Sequence, residues 1–187
     1  EYIRNFIMSK LETNTIDNIS GSSTLTIGDS NTSTITLKSG ATLTNFPANT
    51  PAFKAYYNGS QTISNNSSTK ITVYGTEEYD TDNAFASSRF TVPSGKAGKY
   101  IFFATLSDDT GSSSTNTFSF FFKKNGSADI GNTSAYLTAY QQMQVFAVDD
   151  LAVGNYVEVY LYQSSGGNLT LDGNERVFFS GYKLIGV

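Results

Sequence analysis

From residue 51 onward, apolar residues recur at every second position, the period of strands and not of helices. In KYIFFATLS, Tyr100, Phe102, Ala104 and Leu106 fall on one face, and Ile101, Phe103 and Thr105 fall on the other. FSFFFKKNGS sets Phe118, Phe120 and Phe122 against Ser119 and Phe121, then turns at Asn125-Gly126, a dipeptide suited to the left-handed conformations of a tight turn. NYVEVYLYQ alternates Val157, Val159 and Leu161 with Tyr156, Glu158, Tyr160 and Tyr162. AFKAYYNGS ends in a second Asn-Gly turn at Asn58 and Gly59, and SRFTVP around Phe90 leads through a Gly-rich turn into KYIFFATLS. So many short strands, each with one strongly apolar face, predict two packed antiparallel sheets. The second face, rich in Tyr and Phe, has the character of an interface.

Ahead of residue 51 the pattern thins. Leu25 and Ile27, Ile35 and Leu37, and Leu43 alternate with Thr and are separated by GDSNTS and KSG, which supply turn residues. One copy of such a segment buries too little to offset its chain entropy, so it is either a linker or a stalk completed by other copies. At the start, Tyr2, Ile3, Phe6 and Ile7, with Leu11, fall on one face of a short helix and suit a docking anchor. Met8-Ser9-Lys10 resembles a natural start, so residues 1–7 are read alternatively as an extension ahead of it. The expected organisation is an anchor over 1–12, a β stalk over 13–50 and a head over 51–187.

Composition supports an all-β chain: 14 Phe and 12 Tyr carry the aromatic content, with Gly plentiful and only 3 Pro. Neither cysteine nor histidine occurs, which excludes thiol nucleophiles, thiolate or imidazole metal sites and a Ser-His-Asp triad. A net charge of −4 without a long basic run gives nucleic acid no counterion-release affinity to exploit. No stretch approaches the roughly 20 apolar residues of a membrane span. The opening EYIRNFIMSKLE lacks the pattern of a secretory signal. Export then uses another route, follows trimming, or takes place inside a particle.

From about Pro51 to Val187, the ordered motifs PAFKAYYN, RFTVPSGKAGKYIFFA, FFFKKNG, LAVGNYVEVYLYQ and FFSGYKLIGV resemble the globular head domain of the C1q and tumour necrosis factor superfamily. The SGKAG turn and the stretch EEYDTDNAFASSRF are longer than in animal members, and no collagen Gly-X-Y repeat precedes the motifs. The resemblance implies a jelly-roll β-sandwich of about ten strands, assembled as a homotrimer with one sheet of each protomer facing the threefold axis. Residues Phe53, Tyr56, Tyr100, Phe102, Tyr160, Phe179 and Tyr182 are then expected in the core or trimer interface, and Leu25, Ile27, Ile35, Leu37 and Leu43 in a shared stalk core. The Thr/Ser-rich stretch ahead of a small β head is similar to bacteriophage fibre and adhesin proteins.

Three groups are candidate sites. Asp80, Asp82 and Asn83, in EEYDTDN, offer hard oxygen ligands of the kind that hold calcium, the one cofactor considered. Tyr136 and Tyr140 suit stacking on a sugar ring or contact with a protein partner. Asp172, Glu175 and Arg176 lie in a turn before the last strand, where they either contact a receptor or solvate the turn. No pair of carboxylates is set across a cleft as a glycosidase needs, so no enzyme is expected. The leading expectation is an extracellular virion fibre or adhesin, attached to other virion proteins through its N-terminus, whose head binds a host-surface glycan or protein. The alternatives are a structural virion component, decorating a capsid or joining tail parts, and a bacterial surface or secreted trimeric module. Nucleic-acid binding and membrane insertion are not expected.

Overall fold

The computed structural model describes residues 39, 49–107, 116–137, 142–172 and 177–185. The chain divides into two compact units, Glu1–Asn45 and Phe46–Val187. All described residues but Ser39 belong to the second. The anchor residues Tyr2, Ile3, Phe6 and Ile7 and the stalk residues Leu25, Ile27, Ile35, Leu37 and Leu43 lie outside the described residues, as do Tyr140, Glu175 and Arg176.

Among the described residues there are thirteen strands: β1 (Ala52–Tyr57), β2 (Ser60–Ile63), β3 (Ser67–Lys70), β4 (Tyr74–Asp80), β5 (Phe85–Ala86), β6 (Arg89–Thr91), β7 (Gly98–Ser107), β8 (Asn116–Lys124), β9 (Ala128–Leu137), β10 (Gln142–Leu151), β11 (Tyr156–Gln163), β12 (Leu169–Asp172) and β13 (Phe178–Lys183). They form one sheet in the order β10-β7-β13-β1-β4 and a second in the order β5-β6-β11-β8-β9, with β3 also paired to β11. β2 and β12 make a small separate ribbon. The described head is an all-β jelly roll, and the strands beyond the expected ten are short ones, such as β5 and β6, formed within the turn-rich connections.

The two Asn-Gly signals have different outcomes. Asn125-Gly126 lies in the connection that closes the β8–β9 hairpin between Lys124 and Ala128, with both residues at positive φ, 52° and 71°, the conformation Asn and Gly adopt most readily. Asn58-Gly59 makes no hairpin: β1 pairs with β13 and β4, whereas β2 pairs with β12, so Gly59 at φ 112° turns the chain out of the first sheet.

Inward-facing aromatics from both sheets fill the core. Phe53 of β1 stacks on Phe85 and Phe90 of the second sheet, with ring centroids 4.8 and 5.2 Å apart, and meets Phe179 of β13 edge-on at 4.9 Å. Phe102 of β7 reaches across to Phe90 and to Phe122 of β8. Each ring exchanges water for close contact, about 1.5–3 kcal/mol per fully buried side chain. Gly181 makes room for this layer: a Cβ there would lie 2.5 Å from Cδ1 of Phe102 and 2.9 Å from the Ile101 carbonyl oxygen. Replacing Gly181 by Ala is expected to cost about 1–3 kcal/mol through overpacking, read by urea denaturation. A Cβ at Gly167 meets nothing within 4 Å, and G167A is expected to stay within about 0.5 kcal/mol of the parent.

Candidate functional site

Strand alternation that sends one set of side chains into the core sends the other set outward, and the two sheets treat that outward face differently. On the first sheet, cross-strand rows place Phe146 of β10 opposite Phe103 of β7, and Phe103 opposite Ser180 of β13. A neighbouring row runs from Val148 to Ile101 to Tyr182. Phe146 is 71% exposed and Val148 54%, with Phe103 and Tyr182 each at 36%. Phe178, whose backbone N–H donates to Thr105 Oγ1 at 3.1 Å, closes a groove of about 410 Å³ together with Phe103, Gln144, Phe146 and Ser180. Few charges interrupt this surface. Those present stand at its margins: Lys54 pairs with Glu78 toward β1 and β4, and exposed Asp150 of β10 lies opposite exposed Lys99 of β7 at the end of the strands.

The second sheet covers its own outward face. Phe121 of β8 is 5% exposed because Tyr160 of β11 stacks on it, centroids 5.9 Å apart, and the Lys123 ammonium sits 5.4 Å from the Tyr160 ring and 5.6 Å from that of Phe121. Beside them is Glu158, an outward position on β11 that is nevertheless only 2% exposed. Its Oε1 accepts from Lys70 Nζ at 2.7 Å and from Arg89 Nε and Nη2 at 2.8 and 2.7 Å. The Tyr160 hydroxyl donates to Oε2 at 3.3 Å. Topology makes the cluster possible: β6 and β3 pair with successive stretches of the same edge of β11, so the end of each delivers a cation to Glu158. The two-residue turn from β5 into β6, Ser87-Ser88, adopts positive φ at both residues, and the Ser87 carbonyl also accepts from Lys70 Nζ. Burial alone would raise the Glu158 carboxyl, but hydrogen bonds from Lys70 and Arg89 and their charges hold it below its ordinary 4.5.

The acidic loop has partners of its own. The Asp80 carboxylate accepts the backbone N–H groups of Ala84 and Phe85 at 3.0 and 2.8 Å, which fixes the turn that contains Asn83 at φ 51°. Asp82 accepts from the Thr81 hydroxyl and pairs with Lys96 at 3.0 Å. Burial acts to raise the Asp82 carboxyl, and these partners lower it further than burial raises it. Among the described residues no group of three or more acidic side chains is gathered in a metal-holding arrangement.

The residues expected in the core or interface separate into two sets. Phe53, Tyr100, Phe102 and Phe179 are wholly buried within one protomer. Tyr56 and Tyr182 lie on the outward face of the first sheet and Tyr160 on that of the second. Tyr136, at the end of β9, is 72% exposed, and Asp172 ends β12. The sequence reading named neither Phe146 and Phe178 nor the ion cluster. Alternation in QMQVFAVDD could have exposed Phe146, whereas no local signal marks Glu158 as buried.

Taken together, fold and faces define a jelly-roll head with an apolar outer sheet and a charged, aromatic one. No protein-family model matches the chain, and no curated protein does. Solved structures do. Murine APRIL at pH 8.0 aligns with a TM-score of 0.53 at 12% identity, over 71% of this chain and 98% of that one. The globular domain of zebrafish complement 1qA protein aligns at 0.47 and 17%, over 72% and 97%, and Eiger TNF from S. frugiperda at 0.47 and 14%, over 73% and 93%. The alignment with APRIL shows that the head shares its jelly-roll fold.

Lowered carboxyl values make stability pH-dependent. The contributions of Glu158 and Asp82 are fully present above their ordinary values of 4.5 and 3.8 and are lost as pH falls through the lower folded values. Replacing Glu158 by Gln leaves Lys70 and Arg89 without their shared anion. The expected cost near neutral pH is at the low end of the roughly 3–5 kcal/mol seen for breaking a buried pair, since Arg89 keeps water access. Denaturation of parent and E158Q between pH 3 and 7 should show the gap narrowing toward acid.

Proposed function

We propose that the head is a non-catalytic binding module that assembles as a homotrimer through the outward face of its first sheet. One observation carries this: Phe103, Phe146, Val148, Phe178 and Tyr182 form a continuous apolar surface that is left exposed among the described residues, while the opposite sheet covers its own with Tyr160, Lys123 and the Glu158 ion cluster. Apolar surface of this kind on a small domain marks an interaction site. The resemblance to C1q and tumour necrosis factor heads, which assemble with one sheet toward a threefold axis, supports three copies. A binding role fits the chemistry, since Glu158, Asp80 and Asp82 are engaged by protein donors and the chain has no histidine or cysteine.

For the whole chain, the reading is an extracellular virion fibre or adhesin, with the N-terminal residues attached to other virion proteins and the head directed at a host-surface glycan or protein. Support for this comes from the Thr/Ser-rich segment with its spaced apolar pairs, Leu25 and Ile27, Ile35 and Leu37. Three heads on one stalk multiply weak contacts through effective concentration.

Light scattering of the full chain at micromolar concentration should return three times the chain mass. F146D, which puts a charge at the most exposed apolar residue of this face, should return a monomer with unchanged circular dichroism. A monomeric parent would overturn the assembly, and a trimeric F146D would move the interface to another face.

A further inference from the structure

We propose that Arg89, Lys70 and Lys123, on the outward face of the second sheet, form a binding site for an acidic saccharide that presents a carboxylate or sulfate group. The proposal rests on the reading of the head as a binding module and names its ligand class.

The first support is charge. Three cations surround two carboxylates here, Glu158 and Asp129, in a chain whose net charge is −4. The layering matters more than the count. The Glu158 side chain is 3% exposed, whereas those of Lys70 and Arg89, both held on its Oε1, are 24% and 42% exposed. An anion arriving from solvent therefore meets two side-by-side cations, with the single carboxylate beneath them. Arg89 spends Nε and Nη2 on Glu158, so the rest of its fork of donors is directed elsewhere, and bidentate recognition of an oxyanion is what a guanidinium does well.

The second support is preorganisation. Arg89 lies over the Tyr156 ring, its Cζ 4.0 Å from the centroid, and Lys70 is held again by the Ser87 carbonyl at 3.2 Å. Little side-chain entropy remains to be lost when a ligand binds.

The third support is what lies beside the cations. Tyr160, stacked on Phe121, offers an aromatic surface of the kind that packs against the C–H face of a sugar ring. On the adjoining strands, Ser119, Ser134 and Asn132 are linked to one another by hydrogen bonds, in reach of sugar hydroxyls. Lys123, weakly paired with Asp129 at 3.5 Å, stands between the aromatic pair and the ion cluster, since it is the cross-strand partner of Glu158. A nucleic acid needs a longer basic track than this patch supplies.

The test is calorimetric titration of the full chain in low salt with heparin, polygalacturonate and neutral dextran, and each sample is also weighed by light scattering. The expected result is binding of an acidic polymer, no binding of dextran, and weakening as salt rises. R89Q and K123Q should each lower affinity about tenfold, and R89K less, because it keeps the charge without the fork. K123Q removes none of the hydrogen bonds from Lys70 and Arg89 to Glu158, so it tests the site even if R89Q fails to fold. Binding of heparin alone assigns the site to sulfate, and binding of polygalacturonate alone assigns it to carboxylate; either supports it. No binding of either acidic polymer would overturn the proposal, as would equal losses in R89Q, K123Q and K99Q, which changes an exposed lysine on the other sheet. A trimer that ignores acidic polymers sinks the site and spares the assembly; a monomer that binds them does the reverse.

Discussion

Phe53 lies between two sheets and touches aromatic rings from both, and that contact sets a constraint on every strand around it. Once the interior is filled by rings at every second position, a slip of one residue in any strand would carry its whole aromatic set into water. Glycine appears where the filled interior leaves no space for more. Gly181 lets the Phe102 ring lie against β13, and at Gly131 a Cβ would stand 2.7 Å from the Phe146 carbonyl oxygen, so β9 can close on β10 and seal one side of the sandwich. The same register then decides what faces outward, so the surface chemistry of the head is a consequence of how its core is packed.

The outward faces show two solutions to one problem. A jelly roll of this size has two sheets, each with an outer face, and too few charged residues, 15% of the chain, to solvate both. The second sheet sets basic residues against its outward rings: Arg89 lies over Tyr156, and Lys123 over Tyr160 and Phe121, with Lys70 beside them on Glu158. The first sheet is left with Ile101, Phe103, Phe146, Val148 and Phe178, and short polar residues such as Ser180 and Thr105 cannot cover them. The described head therefore has one outward face covered by its own side chains and one left largely apolar and exposed.

How much of this was legible in the sequence follows from which facts are local. The face assignment of β7, β8 and β11 is a period-two pattern, and it can be read off KYIFFATLS, FSFFF and NYVEVYLYQ without knowing what pairs with what. Burial of an outward polar residue is not local. Glu158 alternates like its tyrosine neighbours, and what sets it apart is Lys70, 88 residues away in sequence, and Arg89, 69 away. For the same reason a single list held both Phe102, wholly inside, and Tyr182, on the surface: aromatic content marks both, and only sheet membership separates them. The acidic loop shows a related limit. Asp80 has the composition of a cation ligand, but its carboxylate already receives the N–H groups of Ala84 and Phe85, a backbone role that composition does not display.

The division of chemistry between the sheets also divides how the head responds to its surroundings. In the proposed assembly, association through Phe146, Phe103 and Phe178 depends on apolar area removed from water, a short-range effect that kosmotropic salts strengthen. Capture at the proposed site of Arg89, Lys70 and Lys123 would depend on charge and fall as ions screen it, over a Debye length of about 8 Å at physiological strength. Assembly and ligand capture on opposite sheets can therefore vary independently: a change of salt or of ligand charge alters what the head holds without altering how many heads stand together. If both faces used the same chemistry, conditions that released a ligand would also release the partner protomer. In the proposed trimer the apolar face holds the copies together, and each charged sheet would make and break its contacts at a fixed valency.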